Sequence, residues 1–75
     1  MRSYDIEHQG EYWVVTITTR VDSHPTFAKS GRFFWSAEAV SGDQRKKAND
    51  WLQARDEVEA TGAALDHALR KLGLD

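Results

Sequence analysis

Ser41-Gly42-Asp43-Gln44-Arg45-Lys46-Lys47-Ala48 is the stretch at which the hydrophobic pattern of this chain changes period. Ser41 followed three residues later by Gln44 fits a capping box. In that motif the hydroxyl accepts one orphan backbone N–H and the amide reaches back to another, so the stretch predicts a helix start. Downstream, Trp51, Val58, Leu65 and Leu72 recur every seventh residue, and Ala48, Leu52, Ala54, Thr61, Ala68 and Leu69 widen the stripe. Positions seven apart lie nearly on one line of a helix and can face a single partner surface. Leu72-Gly73-Leu74 closes the pattern with a glycine where a left-handed C-cap belongs. Thr61-Gly62 interrupts it, because an interior glycine costs about 1 kcal/mol against alanine and a threonine can cap a second helix. The register nevertheless passes through Gly62 unshifted, and Ala60, Ala63 and Ala64 are strong helix formers. One helix over 41–73 is expected, with a kink at Gly62 as the alternative.

Upstream of Ser41 the period is two. Ser3-Tyr4-Asp5-Ile6-Glu7-His8 alternates apolar and polar residues, Gln9-Gly10 offers a turn, and Glu11 to Val21 runs through β-branched and aromatic types. Asp22-Ser23-His24-Pro25-Thr26 reads as a loop and Lys29-Ser30-Gly31 as a second turn. Arg32 to Val40 reads as a third strand, with Phe34 and Val40 on one face and Phe33, Trp35, Ala37 and Ala39 on the other; the alternative for its far end is a helix starting early at Ser36. The expected fold class is therefore α+β, a three-stranded antiparallel β-meander followed by one long C-terminal helix (β-β-β-α). Residues 1–75 form one small domain on this reading, with sheet over 1–40 and helix over 41–73. The helix is expected to pack through Trp51, Leu52 and Val58 onto the sheet side carrying Trp13, Val15 and Ile17.

A length mismatch follows. Roughly thirty helical residues span about 45 Å, whereas a nine-residue strand spans about 30 Å. Val58, Leu65, Leu69 and Leu72 would then project past the sheet into water, which small monomers seldom tolerate. A homodimer is the expected remedy. It predicts a sedimentation mass near twice 8.5 kDa, reduced to monomer by Leu65→Asp or Leu69→Asp.

With 75 residues and a net charge of -2, the chain holds one small core and no deep cleft between lobes, which argues against substrate-enclosing enzyme architectures. It has no cysteine, so disulfide frameworks, thiolate zinc sites and cysteine nucleophiles are excluded. Met1 to Glu7 turns acidic where a secretory signal needs an apolar core, and no apolar run reaches bilayer length. A cytoplasmic protein without a membrane partner is expected.

Catalytic and cofactor motifs do not emerge. His8, His24 and His67 lie on three separate segments without a second ligand type at metal spacing, and no phosphate loop, nucleophile elbow or calcium-loop pattern is present. No catalytic residue, cofactor or metal is assigned. Asp43 with Lys47, Lys46 with Asp50, Arg55 with Glu59 and Asp66 with Arg70 read as helical pairs four apart.

Two features stand out. Arg45-Lys46-Lys47 would open the helix, where the macrodipole disfavours cations and an anion could be met. Ser41 to Ala48, coming after strands, resembles the helix-start motif of double-stranded-RNA-binding domains. The resemblance implies a helix at Ser41 and nucleic-acid contact by the basic run. That family also places a helix ahead of its strands, which this chain lacks. The second feature is the pairing of Tyr12 with Trp13 and the run Phe33-Phe34-Trp35, which put large rings on both faces of a sheet that one helix can cover on one side. The leading expectation is a non-catalytic protein-interaction or regulatory module, self-associating through Tyr12, Phe33, Phe34, Trp35, Leu65, Leu69 and Leu72. The rival is a nucleic-acid-binding module using Arg32, Arg45, Lys46 and Lys47.

Overall fold

The computed structural model of the chain describes residues 1–21 and 31–75. The expected loop at Asp22 to Thr26, and the Lys29-Ser30 part of the second turn, fall outside the described residues. Four strands, β1 (Arg2–His8), β2 (Glu11–Val21), β3 (Arg32–Ser41) and β4 (Gln44–Gln53), pair antiparallel in the order β1-β2-β3-β4, and a helix, α1 (Glu57–Leu72), follows. The α+β class holds, with four strands in place of the three expected. Gln9 and Gly10 both take positive φ, 52° and 79°, as a two-residue hairpin turn demands, so the expected β1–β2 turn is present.

The difference lies at Ser41 to Gln53. Ser41 pairs with Gln44, leaving Gly42-Asp43 as a two-residue connection whose glycine stands at φ 57°. This left-handed backbone turns the chain back on itself, and the residues after it extend β3's ladder from Gln44 to Gln53. The capping box therefore does not form at Ser41, and the helix-start implied by the RNA-binding resemblance is a hairpin. The helix takes its N-cap fifteen residues downstream of Ser41, at Asp56, whose Oδ1 accepts the Glu59 N–H at 2.9 Å. Its first turn carries Glu57 and Glu59 and its last turn Arg70 and Lys71, the arrangement the macrodipole favours. It ends as expected at Gly73, φ 72°, where the Gly73 N–H reaches Arg70 O and the Leu74 N–H reaches Leu69 O in a Schellman pair. Gly62 lies inside one continuous helix, so no corner forms at Thr61-Gly62.

The seven-residue stripe is not the packing face. Trp51 belongs to a strand, and Val58 is 85% exposed. The contact is made instead by Ala60, Ala64, Ala68 and Leu72, four apart, against Trp13, Val15 and Ile17 of β2, Phe33, Trp35, Ala37 and Ala39 of β3 and Leu52 of β4. Small side chains on the helix let its backbone approach a sheet face that carries two indoles, so large and small groups interdigitate. The sheet side was read correctly, while of Trp51, Leu52 and Val58 only Leu52 is in the core. A 16-residue helix spans about 24 Å, less than a ten-residue strand at about 33 Å. The overhang that called for a dimer is absent: Leu72 is buried, and Leu65 and Leu69 are half-buried against the core.

Two glycines make opposite predictions. Gly31 sits at φ 72° with its carbonyl accepting the Ala54 N–H at 2.9 Å, and a Cβ there would collide with the Ala54 carbonyl oxygen. Gly31→Ala should lower unfolding stability by about 1–3 kcal/mol. Gly62, helical and with open space around it, should give about 0.5–1 kcal/mol of added stability as Gly62→Ala. Urea titrations of both variants check the pair; equal effects contradict this backbone. Ala64→Leu in the same assay should cost about 1–3 kcal/mol by overpacking the helix against the sheet.

Candidate functional site

Alternation along four paired strands sends every second side chain away from α1, and those side chains form a second face that no other described element covers. The registers align them in rows: Asp5, Val14, Val40 and Arg45; then Ser3, Thr16, Glu38 and Lys47; then Thr18, Ser36 and Asn49; then Arg20, Phe34 and Trp51. Tyr12 stands beyond the first row, opposite Glu7, and Arg32 beyond the last, opposite Gln53. The face thus has a mixed apolar end at Tyr12, Val14 and Val40, a hydroxyl- and amide-bearing middle, and an aromatic end.

The aromatic end is the most organised part. Phe34 and Trp51 are direct cross-strand partners on β3 and β4. The Arg32 guanidinium carbon lies 4.1 Å from the Trp51 ring centroid and 5.9 Å from that of Phe34, and the Arg20 guanidinium carbon lies 5.4 Å from the Phe34 ring centroid. Two cations and two rings therefore form one stacked group, in which ring quadrupoles attract the guanidinium charges and hold them in place. Trp51 remains 45% exposed and Tyr12 72% exposed. Beside the group, Thr18, Arg20, Phe34, Trp35, Ser36, Asn49, Asp50 and Trp51 line an open depression of about 620 Å³. Further along β4, Glu38 is shared by Arg45 at 3.9 Å and Lys47 at 3.6 Å, exposed pairs of small energetic weight.

The basic run divides between faces. Arg45 and Lys47 point to the open side, whereas Lys46 points to the helix side, donates from Nζ to the Leu72 carbonyl oxygen at 3.1 Å and lies 5.2 Å from the Trp13 ring centroid. The expectation of three cations at a helix N-terminus is reversed: Lys46 serves a helix C-terminus, where free carbonyls and the dipole both favour a cation. Next to it, Lys71 binds Asp50 at 2.8 Å. That hydrogen bond, followed by the Trp51 N–H to Asp50 Oδ1 at 2.8 Å, holds the Asp50 carboxyl below the usual carboxylate range. The helical pairs expected for Asp43 with Lys47 and Lys46 with Asp50 are thus replaced by cross-strand and strand-to-helix pairs, while Arg55 does meet Glu59 at 2.8 Å.

Of the residues expected at a protein interface, Tyr12 and Phe34 lie on the open face, and Phe33, Trp35 and Leu72 are spent in the chain's own core. Leu65 and Leu69 pack against that core. Of those expected to contact nucleic acid, Arg32, Arg45 and Lys47 share the open face and Lys46 does not. Sequence reasoning missed Arg20 and Trp51. The parity of Val14, Thr16, Thr18 and Arg20 along β2 was a usable signal for the first. For Trp51 the signal was the alternation Arg45, Lys47, Asn49, Trp51, hidden because both faces of β4 are largely polar.

Among the described residues no group of three His, Asp or Glu stands together to hold a metal ion, and no helix is long and apolar enough to cross a membrane. Comparison of the chain with known protein families, with curated proteins and with solved structures finds no match in any of the three.

Two stability measurements check the division of the basic run and the Asp50 contact. Lys46→Ala should cost about 1 kcal/mol, and Arg45→Ala and Lys47→Ala less than about 0.5 kcal/mol each, by urea titration; equal costs contradict the placement. Because the folded-state pKa of Asp50 is depressed, its stabilisation is present above the unfolded value and lost as pH falls through the folded one. Below about pH 4, Asp50→Asn should therefore lose stability less steeply than the parent.

Proposed function

We propose that this chain is a non-catalytic binding module whose working surface is the open face of its sheet. The observation that carries the reading is the cross-strand pair of half-buried Phe34 and exposed Trp51, with Arg20 and Arg32 stacked against the rings, on the sheet face that α1 does not cover. Exposed aromatic rings and arginines are the residue types that dominate binding energy at contact surfaces, because they bury large areas at small entropic cost. Here they stand pre-positioned on strands, which reduces the ordering cost of binding further. Three of the carboxylates are taken up in ion pairs, which supports a binding role for them over catalysis. Asp50 is held by Lys71, Glu38 by Arg45 and Lys47, and Glu59 by Arg55. Self-association, expected from a projecting helix stripe, loses that stripe, and a second copy would have to use the open face as any other partner would.

The test selects binders from random peptide and random oligonucleotide pools on the immobilised full chain. Binders should be released by the double variant Phe34→Asp, Trp51→Asp and retained by Val58→Asp on the exposed helix surface. Binders indifferent to the double variant and sensitive to Val58→Asp would place the working surface on the helix and overturn the reading. Circular dichroism of each variant confirms that the fold is kept, as expected for positions outside the core.

A further inference from the structure

One row of the open face is the complement of itself read backwards. Asp5 of β1 is paired with Val14 of β2, Val14 with Val40 of β3, and Val40 with Arg45 of β4, so the order across the sheet is acid, apolar, apolar, base. A second copy turned over about an axis parallel to the strands, between β2 and β3, lays its β4 over β1 and its β3 over β2. Asp5 then meets Arg45 of the second copy and Val14 meets its Val40, and each contact occurs twice, as an isologous interface requires. The next row, Ser3, Thr16, Glu38 and Lys47, is brought against itself in the same way. There Glu38 faces a Thr16 hydroxyl and Lys47 a Ser3 hydroxyl, so no like charges are opposed. At the aromatic end Arg20, whose guanidinium carbon lies 5.4 Å from its own Phe34 ring centroid, is laid over Phe34 of the second copy. Turning the copy end over end would instead set β1 over β1 and β4 over β4, acid against acid and base against base.

Resting on the reading of this face as the working surface, we propose that its occupant is a second copy of this chain, the two sheets stacked face to face with each α1 on the outside. The charges are available for it. Asp5 is exposed and forms no ion pair among the described residues, and Arg45 is held only by Glu38 at 3.9 Å, so their meeting breaks no close contact. Val14, 46% exposed, and the half-buried Val40 give each copy an apolar centre on the two-fold axis. Four strands about 4.8 Å apart and ten residues long present about 600 Å² per copy, and about 1,200 Å² in all is the lower bound for a specific, stable interface. Stacked sheets keep their strands within about 30° of each other, a rotation that Val14 and Val40, nearest the axis, feel least and that the long Arg45 side chain can follow. Thr16, Thr18, Ser36 and Asn49 bond across the gap directly or through water. The two Asp5–Arg45 contacts fix the orientation more than they add affinity.

The experiment is sedimentation equilibrium on the full chain at about 5 to 500 μM, the range in which an interface of this size associates. The mass should rise from 8.5 kDa toward twice that value. Asp5→Arg and Arg45→Asp should each weaken the dimer about tenfold. An equimolar mixture of those two variants should recover it, because every Asp5–Arg45 contact then again joins opposite charges. Val14→Lys should give a monomer and Val58→Ser should change nothing. In a mixture of isotope-labelled and unlabelled chains, filtered NOEs should join the Val14 methyls of one copy to the Val40 methyls of the other. A mass of 8.5 kDa at every concentration overturns this inference alone, and so does a dimer that the mixture of charge variants fails to recover. The reading of the open face as a working surface survives both results. A dimer dissociated by Val58→Asp and indifferent to Val14→Lys overturns both.

Discussion

A single amphipathic helix can cover one face of a sheet and no more, and the geometry of that contact governs the rest of this molecule. Ala60, Ala64 and Ala68 present almost no side chain, so α1 sits close to Trp13 and Trp35 and seals them. Trp13 and Trp35 retain 3% and 2% of their exposure. Burying two indoles contributes several kcal/mol at about 25 cal/mol per Å², a large part of what a chain this small can gather. The side chains that alternate to the other side of the same strands lie beyond the reach of α1.

Strand β4 shows how the two faces are kept distinct. Consecutive residues of its basic run have opposite destinations: Lys46 joins the helix terminus, and Arg45 and Lys47 join Glu38. One end of the helix is thereby tied to the sheet by Lys46 and Lys71, while Asp56 and Glu59 organise the other end. A polar edge strand with lysines on both faces also discourages pairing with further strands. Among the described residues the sheet has four strands, and no described element covers its second face.

Much of this was legible in the residues, and the exception is instructive. Alternation in β1, β2 and β3 is strong because one face of each is apolar, so the separation of Phe33, Trp35, Ala37 and Ala39 from Phe34 and Val40 could be read directly. The terminal Gly73 was equally clear. β4 was not, since Gln44 to Asp50 carries a single apolar residue, Ala48, and shows no hydrophobic period at all. Trp51 and Val58 then fell by coincidence into line with Leu65 and Leu72. The better evidence was Gly42-Asp43, a glycine-led two-residue turn, together with Asp56 and Glu59 as an equally good capping pair nearer the alanines. The site inherited the error: with Trp51 assigned to the helix, its cross-strand meeting with Phe34 and the stacking of Arg32 could not be foreseen.

The three tryptophans report on the two faces independently. Labelled with 5-fluorotryptophan and assigned by single Trp→Phe replacements, they give three fluorine resonances whose broadening by a soluble gadolinium chelate measures solvent access. This structure predicts strong broadening of Trp51 and protection of Trp13 and Trp35. Protection of Trp51 to the same degree as the other two would place it beneath the helix and contradict the account.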